Sequence, residues 1–372
     1  MKRKLVFLIL SIIMAASLLL LFACSGDEET LPPEIPPEAP PAIFVVSDGV
    51  ITSLTDEGRK VNEFDIPSVI DGETITGIGD EVFMNNTIVT TVKMPNTITS
   101  IGENAFSGCD RMTSLTLSTS LLTVGEFAFF NCNKLTEIVI PKSLKVISRG
   151  MFKACSRAES ITIPEGVTTI SDEAFAKCNK VTSIHIPSSV TTISPESIDD
   201  SGVAFSDCRR LTTFTVAEEN EHFSALDGNL YNKDKTELIH YAIGKEQTTF
   251  TVPNGVKYLR EYAFGYSKKL ISVTLSSSVE RIGYACFTGC DVLENFSCGG
   301  TDSKLARMEH RTLFGAVSLK TLELPKTLYY VGKYALSYCS QISKITYYGT
   351  PDDWNKISLN DNYVNQTLIE YK

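Results

Sequence analysis

Ala128–Pro141 reads AFFNCNKLTEIVIP: an aromatic pair, a cysteine, and an alternating apolar run that ends on proline. Taken alone, Cys132 has three readings: a metal ligand, half of a disulfide, or a buried spacer. The rest of the chain decides among them. Phe83, Phe106, Phe129, Phe152 and Phe175 stand 23 residues apart, and Cys109, Cys132, Cys155 and Cys178 each follow a phenylalanine by three, with Asn86 in that slot after Phe83. The same phase reads on through Phe205/Cys208, Phe264/Ser267, Phe287/Cys290, Phe314/Val317 and Leu336/Cys339. A fixed period of this length marks a repeat array. Cys132 is therefore read as a small buried residue in a repeated slot.

Each unit follows roughly I-G-x-x-A-F-x-x-C-x-x-L-T-x-I-x-I-P-x-S-V-x-x-I. Segments such as LTEIVI alternate as half-buried strands do. Pro141, Pro164, Pro187, Pro253 and Pro325 stop their strands, because proline donates no ladder hydrogen bond. The GENAFSGC type of segment is read as a helical or 3-10 turn that buries Ala and Phe. No unit can bury both its strand face and its aromatic turn alone, so copies must stack. The expected fold is a leucine-rich repeat solenoid, α/β or mainly β, with about ten rungs of the 23-residue repeat and short parallel strands. At one strand spacing per rung it would be roughly 50 Å long. The alternative is a parallel β-helix, which has more strands per coil and fewer helical turns.

IGENAFSGCDRMTSLTL (101–117) and ISDEAFAKCNKVTSIHIPSSVTTI (170–193) resemble the leucine-rich repeats of the BspA type, and the resemblance runs from about Phe64 to Thr350. It implies a bacterial surface protein. The segment ITYYGTPDDWNKI, with the only tryptophan at Trp354, resembles the C-terminal unit of such arrays, and 43–80 resembles their N-terminal strand pair and cap. The array is assigned to 81–339 and the C-terminal capping unit to 340–372. Two interruptions occur. The step from Phe205 back to Phe175 is seven residues over one repeat, near PESIDDSG, which is expected to loop outward. A second insertion at about 217–248 carries two alternating runs around NKDK and reads as a hairpin replacing the usual turn.

Ahead of the array stands an address. MKRK is followed by an apolar run ending in LFAC, residues 21–24. Leu21, Ala23 and Cys24 resemble the bacterial lipobox, which implies a signal peptide over 1–23 and lipidation of Cys24. The competing reading is an uncleaved membrane helix. Residues 24–42 hold six prolines from Pro32 to Pro41 and are read as a semi-rigid stalk in extended polyproline II. SGDEE after Cys24 resembles the surface-export signal of Bacteroidetes lipoproteins. The implied location is the bacterial cell envelope, as an outer-membrane lipoprotein facing the cell surface and held to the membrane by its lipidated N-terminus.

Formal charge is −10, and would be −13 without Lys2, Arg3 and Lys4. No Lys/Arg cluster supplies the basic face a nucleic-acid partner requires. No H-E-x-x-H, C-x-x-C, G-x-S-x-G or P-loop pattern occurs. Of the four histidines, His185 is read as an exposed strand residue, while His222 and His240 flank the insertion without a third ligand. Cys286, Cys290 and Cys298 are read as structural. The chain is therefore expected to be no enzyme and to use no metal or cofactor.

What remains is a surface. Outward strand positions are rich in hydroxyls, and Thr116, Thr162, His185, Thr215, Thr251 and Thr274 are the candidate ligand-binding residues. The bland reading is a soluble sheet face built from residues of high strand propensity. The functional reading is a platform for a protein or glycan. A lipid-anchored interaction protein or adhesin is the first expectation, the resemblance implying host proteins, matrix or other cells as partners. The alternative is a glycan-binding lipoprotein of a nutrient-uptake system, using tyrosines such as Tyr231, Tyr241, Tyr258, Tyr262 and Tyr266 near the insertion.

Overall fold

The computed structural model describes residues 42–194 and 202–372. The leader, Cys24, the stalk and most of the PESIDDSG expansion lie outside them. The described chain is a leucine-rich repeat solenoid of the mainly β kind, in which every coil contributes to three ladders. The first is made of short strands such as Glu137–Val139, paired in parallel with Ser160–Thr162 so that Ile138 stands over Ile161. Their pattern is exposed, buried, exposed, as the alternation in LTEIVI requires. This ladder runs from Glu63–Asp65 to Ile369–Tyr371. A second ladder uses two-residue strands such as Val146–Ile147, Thr169–Ile170 and Thr192–Ile193. Proline does more than end the first strand: Pro141 accepts a bond from Leu144 N, and Pro164 and Pro187 accept from Val167 and Val190 in the same way. Each of these closes the turn that leads from one ladder to the next.

The aromatic segment forms the third ladder, and it is not helical. Asn104 and Gly108 bracket Phe106 with φ of 52° and 75°. Those left-handed residues interrupt any right-handed helix while leaving i→i+3 bonds at Ser107 and Cys109. The amides between them turn outward, so Asn104, Phe106 and Gly108 donate to Glu126, Ala128 and Phe130 of the next coil at 2.7–3.0 Å. Residues without a side-chain penalty at φ > 0, glycine above all, suit these slots.

Side chains inside the coils stack in files. Phe83, Phe106, Phe129, Phe152, Phe175 and Phe205 stack with their ring planes nearly parallel and centroids 4.5–6.1 Å apart. Beside them runs a file of free thiols. Cys132 Sγ donates to Phe106 O at 3.3 Å, and Cys109, Cys155, Cys178, Cys208, Cys290 and Cys339 make the same bond to the preceding coil at 3.2–3.4 Å. The accepting carbonyl already takes an amide of its own turn, such as Cys109 N to Phe106 O at 3.2 Å. The thiol supplies its second donor. Burial pushes the Cys109, Cys208 and Cys290 thiols up to about 12 and holds Cys132, Cys155 and Cys178 well above the usual range.

Two positions differ from the sequence expectation. The turn after Phe287 places Leu313 and Ala316 in the aromatic and thiol slots, not Phe314 and Val317. Leu313 N donates to Ala335 O and both residues are fully buried, while Val317 is 43% exposed. Three extra residues around Gly299–Gly300 shift the phase. The insertion, moreover, does not replace the aromatic turn. Tyr241 takes the phenylalanine slot, stacks on Phe264 at 5.1 Å and donates its amide to Ala263 O.

The insertion itself is a partition. Phe223–Leu226, Asn229–Asn232 and Glu237–His240 pair antiparallel, and Glu237–Leu238 then continues the two-residue ladder by pairing with Tyr258–Leu259. Leu230 and Ile239 face the core on one side, and Tyr231 and Leu238 the core on the other. Buried Asn220 fastens its entry, donating to Pro187 O and Val190 O and accepting from His222 N and Phe223 N at 2.8–3.0 Å. His240, between Phe205 and Phe214, donates Nδ1 to Tyr241 O at 2.7 Å, serving the carbonyl that a thiol serves elsewhere. At the ends, Phe44–Ser47 pairs antiparallel with Val50–Leu54, and Trp354 packs edge-on against Tyr347 at 5.2 Å below a capped turn, Pro351–Trp354.

Candidate functional site

The first ladder presents its outward side chains in vertical columns. One column contains all six candidate residues, because each is the last or next-to-last residue of its strand and the coils stack in register. Val139 stands opposite Thr162, His185 opposite Thr215, and Thr251 opposite Thr274, which is followed by Ser297. Thr116 stands opposite Lys93. All are exposed except half-buried Thr274.

The partition divides this column. Phe214 N donates to Gly228 O, so the strand Thr213–Val216 is followed by the insertion, and Thr249–Thr251 opens a new sheet. Thr116, Thr162, His185 and Thr215 therefore lie on the N-terminal side and Thr251 and Thr274 on the C-terminal side. His185 Nδ1 and Thr215 Oγ1 are 2.9 Å apart, which ties two coils together across the face. Val139, 55% exposed, interrupts the hydroxyls with an apolar side chain. A column of this kind offers donors and acceptors at a fixed repeat, on strands that are each hydrogen-bonded to at least one neighbouring strand of the ladder. It can dock a complementary surface. The His185–Thr215 contact is the one imidazole–hydroxyl pair of the column among the described residues, and no carboxylate is bonded to either side chain to orient it.

The remaining candidates are dispersed. His222 is exposed beside Phe223, while His240 is buried and its pKa is lowered to about 4, chiefly by loss of solvent. Cys290 belongs to the thiol file, and Cys298 is buried with its Sγ 3.7 Å from Gly300 O. Among the described residues no group of three or more His, Cys, Asp or Glu side chains is placed to hold a metal ion. Of the tyrosines near the insertion, Tyr231, Tyr241 and Tyr262 are core residues, and Tyr258 and Tyr266 reach the surface.

The match to known proteins follows this geometry. The family description BspA type leucine rich repeat region applies in six copies to residues 76–212 and 241–363. The chain belongs to this family. The matched region stops ahead of the partition and resumes at Tyr241, the residue that restarts the aromatic file. Among solved structures, a leucine rich cell surface protein from Faecalibacterium prausnitzii A2-165 is 28% identical, with 86% of this chain and 96% of that chain covered and a TM-score of 0.59. The pneumococcal vaccine antigen PcpA is 25% identical, with coverage of 82% and 78% and a TM-score of 0.69. No curated protein matches the chain.

Proposed function

We propose that this BspA-type chain is a lipid-anchored protein of the bacterial cell surface that presents its first-ladder face to a protein partner on host tissue, matrix or other cells. The observation that carries the reading is the register of the outward column. Polar side chains repeat on a backbone fixed by three ladders, so little ordering entropy opposes docking. The description of the similar Faecalibacterium protein as a cell surface protein supports the location. Cys24, directly after an apolar run, supports the anchor. One acyl chain binds a membrane only marginally, so more than one chain is needed for the anchor to hold.

Two experiments test the reading. Purified protein is offered to immobilised matrix and plasma proteins and to host cells, and uniformly absent binding sinks the adhesive role. Separately, Cys24→Ser moves the protein out of the membrane fraction, and protease treatment of intact cells removes the wild-type chain. A variant that stays in the membrane, or a chain protected from protease, contradicts the surface anchor.

A further inference from the structure

The third ladder has an unfinished end. Left-handed residues in each of its turns aim alternate amides onward and alternate carbonyls back, so Arg311, Leu313 and Gly315 donate to Lys333 O, Ala335 O and Ser337 O at 2.8–3.0 Å. Residues 333–338 form the last such turn. Its carbonyls are taken up by the turn before it, and its onward amides belong to Tyr334, Leu336 and Tyr338. Asn362 caps the middle one: its Oδ1 accepts from Leu336 N at 2.9 Å while its Nδ2 donates to Gly332 O at 2.7 Å. Tyr334 N and Tyr338 N have no acceptor among the described residues.

The two free amides lie among exposed rings. Tyr334 is 49% exposed, Tyr338 70%, and Tyr363, next to Asn362, 89%. Phe314 holds the Tyr338 ring edge-on at 5.1 Å. Tyr334 and Tyr338 leave the backbone at φ of 58° and 63°, and Gly289 and Gly315 hold the Tyr338 slot in the two preceding turns. A bulky residue kept in a glycine slot is strained, and strain of this kind concentrates at ligand-binding surfaces. Lys333 and Asp361, which flank the end, pair with each other at 3.7 Å, so the amides call for a neutral acceptor.

An edge that offers donors and no acceptor selects its partner. In the preceding turns the acceptors at this spacing are peptide carbonyls. An ordinary extended strand turns an N–H as well as a C=O towards its neighbour at every second residue, and those N–H groups would face the amides of Tyr334 and Tyr338. A proline-rich segment brings carbonyls without N–H groups, and in its extended conformation its rings pack on aromatic side chains. The chain's own proline-rich stretch joins the array at Ala42, at the opposite end, so the segment comes from another molecule. We propose that the end of the third ladder docks a proline-rich segment of a partner protein, with its carbonyls on Tyr334 N and Tyr338 N and its rings against Tyr334, Tyr338 and Tyr363. This site is separate from the first-ladder face and does not depend on it.

Calorimetry on the full chain tests this with four probes: decaproline, a glycine–serine decapeptide, hexaglutamate and chitotetraose. Decaproline is expected to bind, and the other three to give no signal. Tyr338→Gly should weaken that binding about tenfold, the loss expected for one aromatic contact. Glycine suits the slot, so this variant should keep at least the wild-type melting temperature. Thr116→Val, on the first-ladder face, should leave decaproline binding unchanged. Hydrogen exchange at the Tyr334 and Tyr338 amides should be fast in the free protein and slowed at least tenfold by saturating decaproline. The proposal is overturned if decaproline does not bind, if any of the other three probes binds as tightly, if Tyr338→Gly binds like the wild type, or if both amides still exchange freely in the complex. None of these outcomes bears on the first-ladder face.

Discussion

Replacing Cys155 with serine should destabilise the solenoid more than replacing it with alanine. The Cys155 side chain is fully buried, and its Sγ donates to Phe129 O at 3.4 Å. That carbonyl also accepts from Cys132 N at 3.3 Å, so alanine leaves it one bond rather than none. The alanine cost is therefore a small cavity and a weak bond, about 1–2 kcal/mol. Serine keeps a polar group in the slot but on a shorter arm that falls short of the carbonyl. An unpaired buried hydroxyl adds about 1–3 kcal/mol of its own. Ser267 already shows the situation: it is fully buried with no partner for Oγ, and the carbonyl its slot would use, Tyr241 O, is held by His240. Ser267→Ala should accordingly be neutral or stabilising by up to about 1 kcal/mol. Urea unfolding followed by circular dichroism reads all three variants. A Cys155→Ser protein as stable as Cys155→Ala, or more so, refutes the role assigned to the thiol file.

The raised thiol pKa values predict both protection and alkaline sensitivity. Folded protein should resist thiol labelling at the eight buried cysteines, with half-buried Cys339 the exception, until denaturant is added, and rapid labelling of those eight in the native state contradicts their burial. Because the folded thiols titrate near 12 and unfolded ones near 9, the unfolded state loses protons first, so stability should fall as pH rises through that window. His240 acts in the opposite range. Its folded pKa of about 4 lies below the ordinary 6.5, so the unfolded state binds the proton first as pH drops. About 3 kcal/mol should be lost between pH 6.5 and 4, and His240→Gln should flatten that slope of the urea midpoint; an unchanged slope would place the acid sensitivity elsewhere. Asn220→Ala strips four hydrogen bonds, three of them buried, at the partition entry and should cost about 2–4 kcal/mol, with hydrogen exchange accelerating first around 220–232. Uniform exchange along the chain would show that the partition is not fastened there.

The repeat was legible because it imposes one side-chain type per slot over many copies. Phe129 and Cys132 could be placed by counting alone. Counting failed where a slot accepts a different residue of similar size. Tyr241 does the work of phenylalanine, and Leu313 does so one residue ahead of a conspicuous Phe314, so the eye settles on the wrong aromatic. GENAFSGC reads as a helical or 3-10 turn that buries Ala and Phe; the burial and single i→i+3 bonds are there, but no continuous helix. The left-handed residues that exclude a helix, Asn104 among them, are not distinctive by type. The insertion showed its alternation and its NKDK turn, yet alternation says nothing about whether two cores lie on either side. The outward column followed directly from strand periodicity.

The most direct test of the account is a binding comparison on intact first-ladder and altered first-ladder protein. Once a matrix or cell-surface partner is captured, Thr162→Arg and Thr251→Arg place bulk and charge on either side of the partition without touching the core. The account predicts that at least one abolishes measurable binding while the melting temperature holds. Full binding by both variants would show that the partner docks elsewhere and that the hydroxyl column serves only to keep the sheet soluble.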